Sequence, residues 1–296
     1  MQEFRHPFRA MGCPCELRLY ADSPQSAAQW FQDAEAEIRR LEMRYSRYRD
    51  DSVTAAIEQA AGKDGGLEVD AETAALLDYA ATAFAQSDGL FDITSGVLRR
   101  AWDFKSGCLP EQSQIDALLP LIGWEKLRWD RPRLRLPAGM QLDFGGFVKE
   151  YTADAIATRL RGQGCECGLI DLGGDLAVVG AHPDGSPWQI GIRNPRDPEQ
   201  AIAQVPLPHG AIATSGDYER GMVIDGRVYG HILNPHTGWP VQELSSVSVL
   251  ADHCVVAGSA STIAMLKGRH GIAWLESLGL PFLCVDQTGR VSGMLE

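Results

Sequence analysis

The sequence predicts an α+β fold of mixed sheets with flanking helices, and three observations carry that expectation. Helical and strand-like segments interleave irregularly, without the β-α-β alternation of a doubly wound parallel sheet. Several apolar strands return on one another across glycine-rich turns. Hydrophobic residues make up 45% and charged residues 22% of the 296, ordinary values for a globular chain with a sizeable core. No repeat, low-complexity run or composition shift marks a boundary, so a single domain over residues 1–296 is expected.

Cys15 to Tyr20, CELRLY, alternates in polarity as a strand does. Ser23-Pro24 then offers an N-cap and a proline at the first helical position. Ala27, Phe31, Ala34, Ile38 and Leu41 recur at three- and four-residue spacing, which predicts one amphipathic helix ending near Arg44. A second helix is expected from Asp70 to about Gln86, stopped by Asp88-Gly89. The stretch Arg131 to Pro137 reads as a local hairpin. A third helix should run from near Gly146 to about Arg161. Strands are expected at Gly168–Asp171, Leu176–Val179, Trp188–Ile192, Ala211–Ser215, Val228–Ile232 and Ser245–Leu250. A fourth helix, Ala257 to Leu266, stops at Gly268. A short helix near Gly271–Glu276 and two strands, Phe282–Asp286 and Val291–Leu295, complete the chain.

Composition also excludes classes. The net charge of −12 disfavours a non-specific nucleic-acid binder, which would be basic. No stretch approaches the roughly 18–20 apolar residues that span a bilayer, and the N-terminus has no apolar segment ahead of a cleavage site. A cytoplasmic protein is expected, or one whose export signal has been removed. Seven cysteines, an odd number in a chain of this size, argue against a disulfide framework. The C-x-C pairs Cys13/Cys15 and Cys165/Cys167 lack the usual zinc spacing and read as thiols in a reducing compartment.

Five segments combine glycine or small residues with polar ones. Leu142 to Tyr151 contains Asp143, Gly145, Gly146 and Lys149 where a strand is expected to run through a Gly-Gly turn into a helix. Backbone N–H groups at such a helix start can cradle phosphate; the alternative is a tight turn with no ligand. Asp171-Leu172-Gly173-Gly174-Asp175 is primarily a hairpin signal, and its spacing is not the G-x-G-x-x-G of a dinucleotide fold. Ala213 to Arg220 puts Ser215 and Gly216 after a strand, but the G-x-S-x-G of a serine hydrolase is absent. His231 lies beside a turn that Asn234-Pro235 and Thr237-Gly238 force, a fair place for a ligand-binding histidine or a base. In Phe91 to Gly96, Asp92 and Thr94 lie on one side of an extended segment, where they either hold a ligand's polar edge or cap the turn.

Together these segments resemble the ApbE family. Its F-D-x-T-x-G is similar to Phe91–Gly96, and its D-x-G-G-x-x-K-G-Y to Asp143–Tyr151, with Glu150 in place of the last glycine. N-L-G-G-D corresponds to Asp171–Asp175. A-T-S-G-D-Y-E-R is reproduced at Ala213–Arg220, and H-I-x-x-P-x-T-G-x-P at His231–Pro240. The early M-G-T is Met11-Gly12-Cys13 here. The motifs run in family order over nearly the whole chain.

The resemblance implies an ApbE-like, T-fold-related architecture. It also implies a Mg2+-dependent reaction in which FAD is split, FMN goes to a threonine of a flavoprotein partner, and AMP leaves. Some relatives hydrolyse FAD instead. Carried over by position, Met11, Tyr48, Phe91, Asp92 and Thr94 would line the flavin nucleotide site, with Ser215 and Gly216. Asp143 and Lys149 would lie at the adenosine-phosphate end, and Leu233 would pack on the cofactor. His231 would be the base, and Thr262 with the Gly146 backbone oxygen would hold Mg2+.

The chain departs from the pattern at that metal site. The family's A-D-A-x-A-T-A is Ala257-Gly258-Ser259-Ala260-Ser261-Thr262-Ile263, so its metal-binding aspartate is Gly258. An i,i+4 pair shares one helix face, and Mg2+ favours carboxylate oxygen, so the loss should weaken metal binding. On this reading Gly258→Asp alone should strengthen it. The alternative is an FAD-binding homologue or FAD pyrophosphatase with a weakened or lost Mg2+ site.

Overall fold

The computed structural model describes residues 1–218 and 221–295; Glu219 and Arg220, which end the Ala213–Arg220 motif, lie outside the described residues. The chain opens on an antiparallel hairpin of β1 (Gln2–Ala10) and β2 (Cys13–Ala21). Its turn, Met11-Gly12, has φ of 51° and 74°, the left-handed pair that a two-residue hairpin of native twist requires. In α1 (Pro24–Tyr45), Ser23 accepts the N-cap bond from Ser26 N–H, and the five apolar residues of the spacing are buried. Next come α2 (Val53–Ala60), capped by Ser52, β3 (Leu67–Glu68) and α3 (Ala71–Gln86), capped by Asp70. A 3-10 stretch (Ile93–Arg100) leads to α4 (Gln112–Leu118). The hairpin expected around Arg131–Pro137 is β4 (Arg128–Asp130) paired with β5 (Arg133–Arg135).

After a 3-10 turn at Phe144–Gly146, α5 spans Val148–Gly162. The strands β6 (Gly168–Leu172) and β7 (Asp175–Gly180) form a hairpin across Gly173-Gly174, as that dipeptide predicts. Next are β8 (Trp188–Asn194), β9 (Asp197–Leu207), β10 (Ala211–Gly216), β11 (Gly221–Ile224), β12 (Arg227–Gly230) and β13 (Leu244–Ala251). Finally α6 (Cys254–Lys267), α7 (His270–Leu278), β14 (Phe282–Asp286) and β15 (Val291–Met294) end the described chain.

Among the described residues, β1-β2-β6-β7-β10-β13-β14-β15 form one sheet in that order, and its paired neighbours are antiparallel. The α+β expectation therefore stands. One sheet face packs on α1, α5 and α6 through Leu17, Leu19, Ile38, Ile156, Ile170 and Val247. The other face packs on the β8–β9 hairpin through Leu169, Val178, Trp188, Ile212 and Leu283. Leu169 and Ile170 go to opposite cores because successive strand residues face opposite ways. Phe144 and Phe147 anchor another core with Leu41, Ile57 and Leu77. Each such large apolar side chain stabilises the fold by roughly 1.5–3 kcal/mol.

Pro7 lies inside β1, a strand that the sequence reading did not include; β1 is an edge strand, where a missing N–H is tolerated. Two local expectations change. No strand precedes the Gly-Gly turn at 145–146; Asp143 N–H instead donates to Ile93 O at 2.8 Å. And α6 starts three residues earlier than its apolar run suggests. The carboxylate of Asp154, on α5, accepts from Cys254 N–H at 2.8 Å and Val255 N–H at 2.9 Å, giving the helix a cap from elsewhere in the chain.

Candidate flavin nucleotide site

The large sheet, the Phe144–Phe147 core and α6 meet around a cavity of about 1280 Å³. That exceeds the roughly 300–1000 Å³ of common small-molecule pockets and suits a dinucleotide. Met11 reaches it from the β1–β2 turn, and Tyr48 from the loop after α1. Phe91, Asp92 and Asp143 line it with Gly146 and Lys149 at the start of α5. Ser215 and Gly216 contribute from β10, His231 and Leu233 from the segment after β12, and Thr262 from α6. Of the site residues carried over by position, Thr94 alone lies away from the lining. It is fully buried; its hydroxyl donates to Asp92 Oδ1 at 2.7 Å and accepts from Gly123 N–H at 2.8 Å.

Asp92 is built as a cap. Its carboxylate accepts from Thr94 N–H at 2.8 Å, the Thr94 hydroxyl, and Trp124 N–H at 3.0 Å. Burial raises its pKa against the lowering effect of those bonds. Asp143 caps the Phe144–Gly146 turn through Gly145 N–H at 2.8 Å and takes an ion pair from Arg47 Nη1 at 2.6 Å. Arg47 also donates to Gly96 O at 3.0 Å and lines the cavity beside Tyr48. Sequence reasoning missed Arg47: no motif marks it, and only the fold carries the end of α1 to Asp143. The Tyr48 ring is 86% exposed at the cavity mouth, with the Arg47 guanidinium 5.9 Å from its centroid.

Lys149 is held in the cavity wall. Its ammonium pairs with Asp175 and donates to Leu172 O at 3.1 Å. Burial alone would lower its pKa, but the Asp175 and Glu150 carboxylates outweigh it and raise it. Asp175 also accepts from Thr214 N–H at 3.1 Å, which ties β7 to β10. Glu150, on α5 next to Lys149, also lines the cavity. Burial, and then the like charge of Asp175, raise its pKa to about 8. The signal for Glu150 was its departure from the family's glycine.

His231 stands just past the end of β12, not within a strand running to 232. The segment after it is fixed by Val241 N–H donating to Ile232 O at 3.0 Å and Asn234 N–H to Trp239 O at 2.9 Å. Asn234 Oδ1 accepts from His236 N–H at 2.9 Å and Thr237 N–H at 3.2 Å, the turn that Asn-Pro and Thr-Gly predict. Leu233 bridges Pro240 and faces the cavity.

On α6, Thr262 Oγ1 and Ser215 Oγ lie 2.8 Å apart, and Ser215 Oγ is 2.8 Å from Ser261 Oγ. No group of three or more His, Cys, Asp or Glu side chains suited to a metal occurs among the described residues. Thr262, Ser215 and Glu150 all line the cavity and offer hard oxygen donors, a set that fits Mg2+ completed by a ligand's phosphates. No helix of the described residues is long and apolar enough to cross a membrane.

The ApbE family model matches residues 11–284. A FAD:protein FMN transferase of Klebsiella pneumoniae is 32% identical over 249 residues, covering 81% of this chain and 75% of its own. One from Vibrio cholerae is 29% identical over 252 residues, covering 82% and 75%. The crystal structure of the ApbE protein of Thermotoga maritima superposes with a TM-score of 0.92 at 27% identity, covering 99% of this chain and 97% of that one. The apo Pseudomonas stutzeri flavinyl transferase ApbE gives 0.86 at 28% identity, covering 99% and 95%. With the match spanning nearly all of the sequence, and the same fold over nearly all of both structures, this chain belongs to the ApbE family.

Proposed function

We propose that this chain is a FAD:protein FMN transferase, acting as one unit over residues 1–296 in a reducing, cytoplasmic setting. The observation that carries the reading is convergence. Residues from motifs scattered between Met11 and Thr262 line one dinucleotide-sized cavity. Met11, Tyr48, Phe91, Asp92, Ser215, Gly216 and Leu233 hold the flavin nucleotide. The helix start after Gly146, with Asp143 and Lys149, defines the phosphate and adenosine end. The acceptor threonine's Oγ attacks the FMN-side phosphorus while His231 takes its proton. The bond from that phosphorus to the bridging oxygen breaks, and AMP leaves with that oxygen. Thr262 and the Gly146 carbonyl would hold Mg2+. When bound, Mg2+ supplies charge neutralisation on the diphosphate.

A second reading, a homologue that binds FAD or hydrolyses it to FMN and AMP, is favoured by one observation: Gly258 carries no carboxylate on α6. The test follows AMP release from FAD and Mg2+ with and without a threonine-bearing acceptor protein. Release that requires the acceptor hydroxyl supports transfer. Equal release without the acceptor supports the hydrolase, and no release at all supports a binding protein.

A further inference from the structure

We infer that the metal-binding carboxylate of this site has moved between helices: Glu150 on α5 supplies it, across the space that Gly258 leaves open on α6. The inference rests on the reading of the cavity as a Mg2+-assisted FAD site and names a ligand that the family pattern does not contain.

The first observation is steric. A Cβ built on Gly258 would lie 2.5 Å from Glu150 Cγ, 2.9 Å from Cδ and 3.0 Å from Oε1. The Glu150 carboxylate therefore occupies the volume into which any side chain at 258 would project. The two departures from the family pattern, glycine to Glu150 and aspartate to Gly258, face each other in space. They act as one exchange that keeps a carboxylate at this spot and changes the helix it comes from.

The second observation is an unmet bonding need. Glu150 is only 8% exposed, and its Oε2 is buried with no hydrogen-bond partner among the described residues. A buried carboxylate oxygen without a partner is costly, and such groups in native proteins are usually paired or bound to a metal. The Lys149 ammonium is paired with Asp175, and the hydrogen bond that the Glu150 carboxyl shares with Asp175 leaves Oε2 unmet. If Glu150 were only a packing residue in the space left by a lost aspartate, an apolar side chain would fill it without that cost.

The third observation is placement. Thr262 follows Gly258 by one helical turn, so both lie on the same face of α6. Glu150 meets that face at 258, and Glu150, Thr262 and Ser215 all line the cavity. One carboxylate and neutral hydroxyls, with the rest of the shell left to phosphate oxygen and water, is the kind of set that Mg2+ uses at nucleotide sites.

The structure also changes the expectation for Gly258→Asp. With Glu150 in place, the new side chain would collide with it and add a third carboxylate beside Asp175. That single variant should lose stability and not gain metal affinity.

The test uses the full chain with FAD bound and reads Mn2+ binding by loss of the free-ion paramagnetic resonance signal, with Mg2+ as competitor. Wild type should bind. Glu150→Gln, nearly isosteric, should weaken Mn2+ by about tenfold or more, with FAD affinity measured in chelator unchanged within a few-fold. The double variant Glu150→Gly with Gly258→Asp should recover Mn2+ affinity to within a few-fold of wild type. Equal Mn2+ affinity in wild type and Glu150→Gln, or a folded double variant that binds FAD but not Mn2+, would overturn the inference and leave the Mg2+ reading standing. Failure of FAD-loaded wild type to bind Mn2+ would overturn both. Should Glu150→Gln not fold, the double variant alone decides.

Discussion

Lys149, in the first turn of α5, and Asp175, the first residue of β7, form an ion pair in the cavity wall. The pair joins the helix start that faces the ligand to the central sheet, and Asp175 passes the connection on to Thr214 of β10. Asp175 keeps only 4% of its side chain exposed, so an unpaired charge there would be expensive. Lys149→Met should therefore destabilise the protein by roughly 3–5 kcal/mol, measured by urea unfolding. A loss below about 1 kcal/mol would mean that the pair is solvated and structurally idle.

Asp92 should have an architectural role in addition to lining the flavin site. Asp92→Ala leaves the Thr94 and Trp124 N–H groups without their acceptor and should cost roughly 2–4 kcal/mol. Its pKa is raised by burial above the ordinary 3.8, so the folded state holds this proton more tightly than the unfolded chain. As pH rises from 3.8 through the raised value, this group's contribution to stability should fall. Asp92→Asn should remove that slope in melting curves recorded across the window. An unchanged slope would assign it to other groups.

His231→Ala should reduce FMN transfer by about 10²–10⁴ while FAD affinity stays within a few-fold, the pattern for loss of a general base. Rate under saturating FAD and affinity by calorimetry separate the cases. Parallel loss of both would make His231 a binding residue.

Much of this was legible in the sequence where the signal was local. The Ser23-Pro24 helix start, the Gly173-Gly174 hairpin and the Phe282–Asp286 strand follow from neighbours in the chain. Tertiary context decided the rest. Pro7 is accommodated in a strand because β1 is an edge, and the start of α6 depends on Asp154, 100 residues from Cys254. At the site the motifs marked the cavity wall well, but not what each side chain does there. Thr94 reads as a ligand contact, yet its hydroxyl is spent on Asp92 and Gly123. Glu150 and Gly258 read as two separate departures, and their contact exists only in the fold.

Arg47, which no motif marks, should matter for FAD binding. It holds both Asp143 and the Gly96 carbonyl at the cavity wall. Loss of a charged hydrogen bond typically costs about 1.5–3 kcal/mol, so Arg47→Ala should weaken FAD by roughly 10- to 100-fold. Arg47→Lys should rescue little, because one ammonium does not reproduce a fork to two acceptors. Titration of flavin fluorescence checks both variants; wild-type affinity in Arg47→Ala would remove Arg47 from the site.

Intact mass of the acceptor tests transfer most directly. A threonine-bearing flavoprotein target is incubated with this chain, FAD and Mg2+, alongside the same target with that threonine changed to alanine. The threonine target should gain one FMN and the alanine target none, with one AMP released per adduct. FAD consumption with an unmodified target, or an adduct that forms equally on the alanine target, would contradict transfer to that threonine.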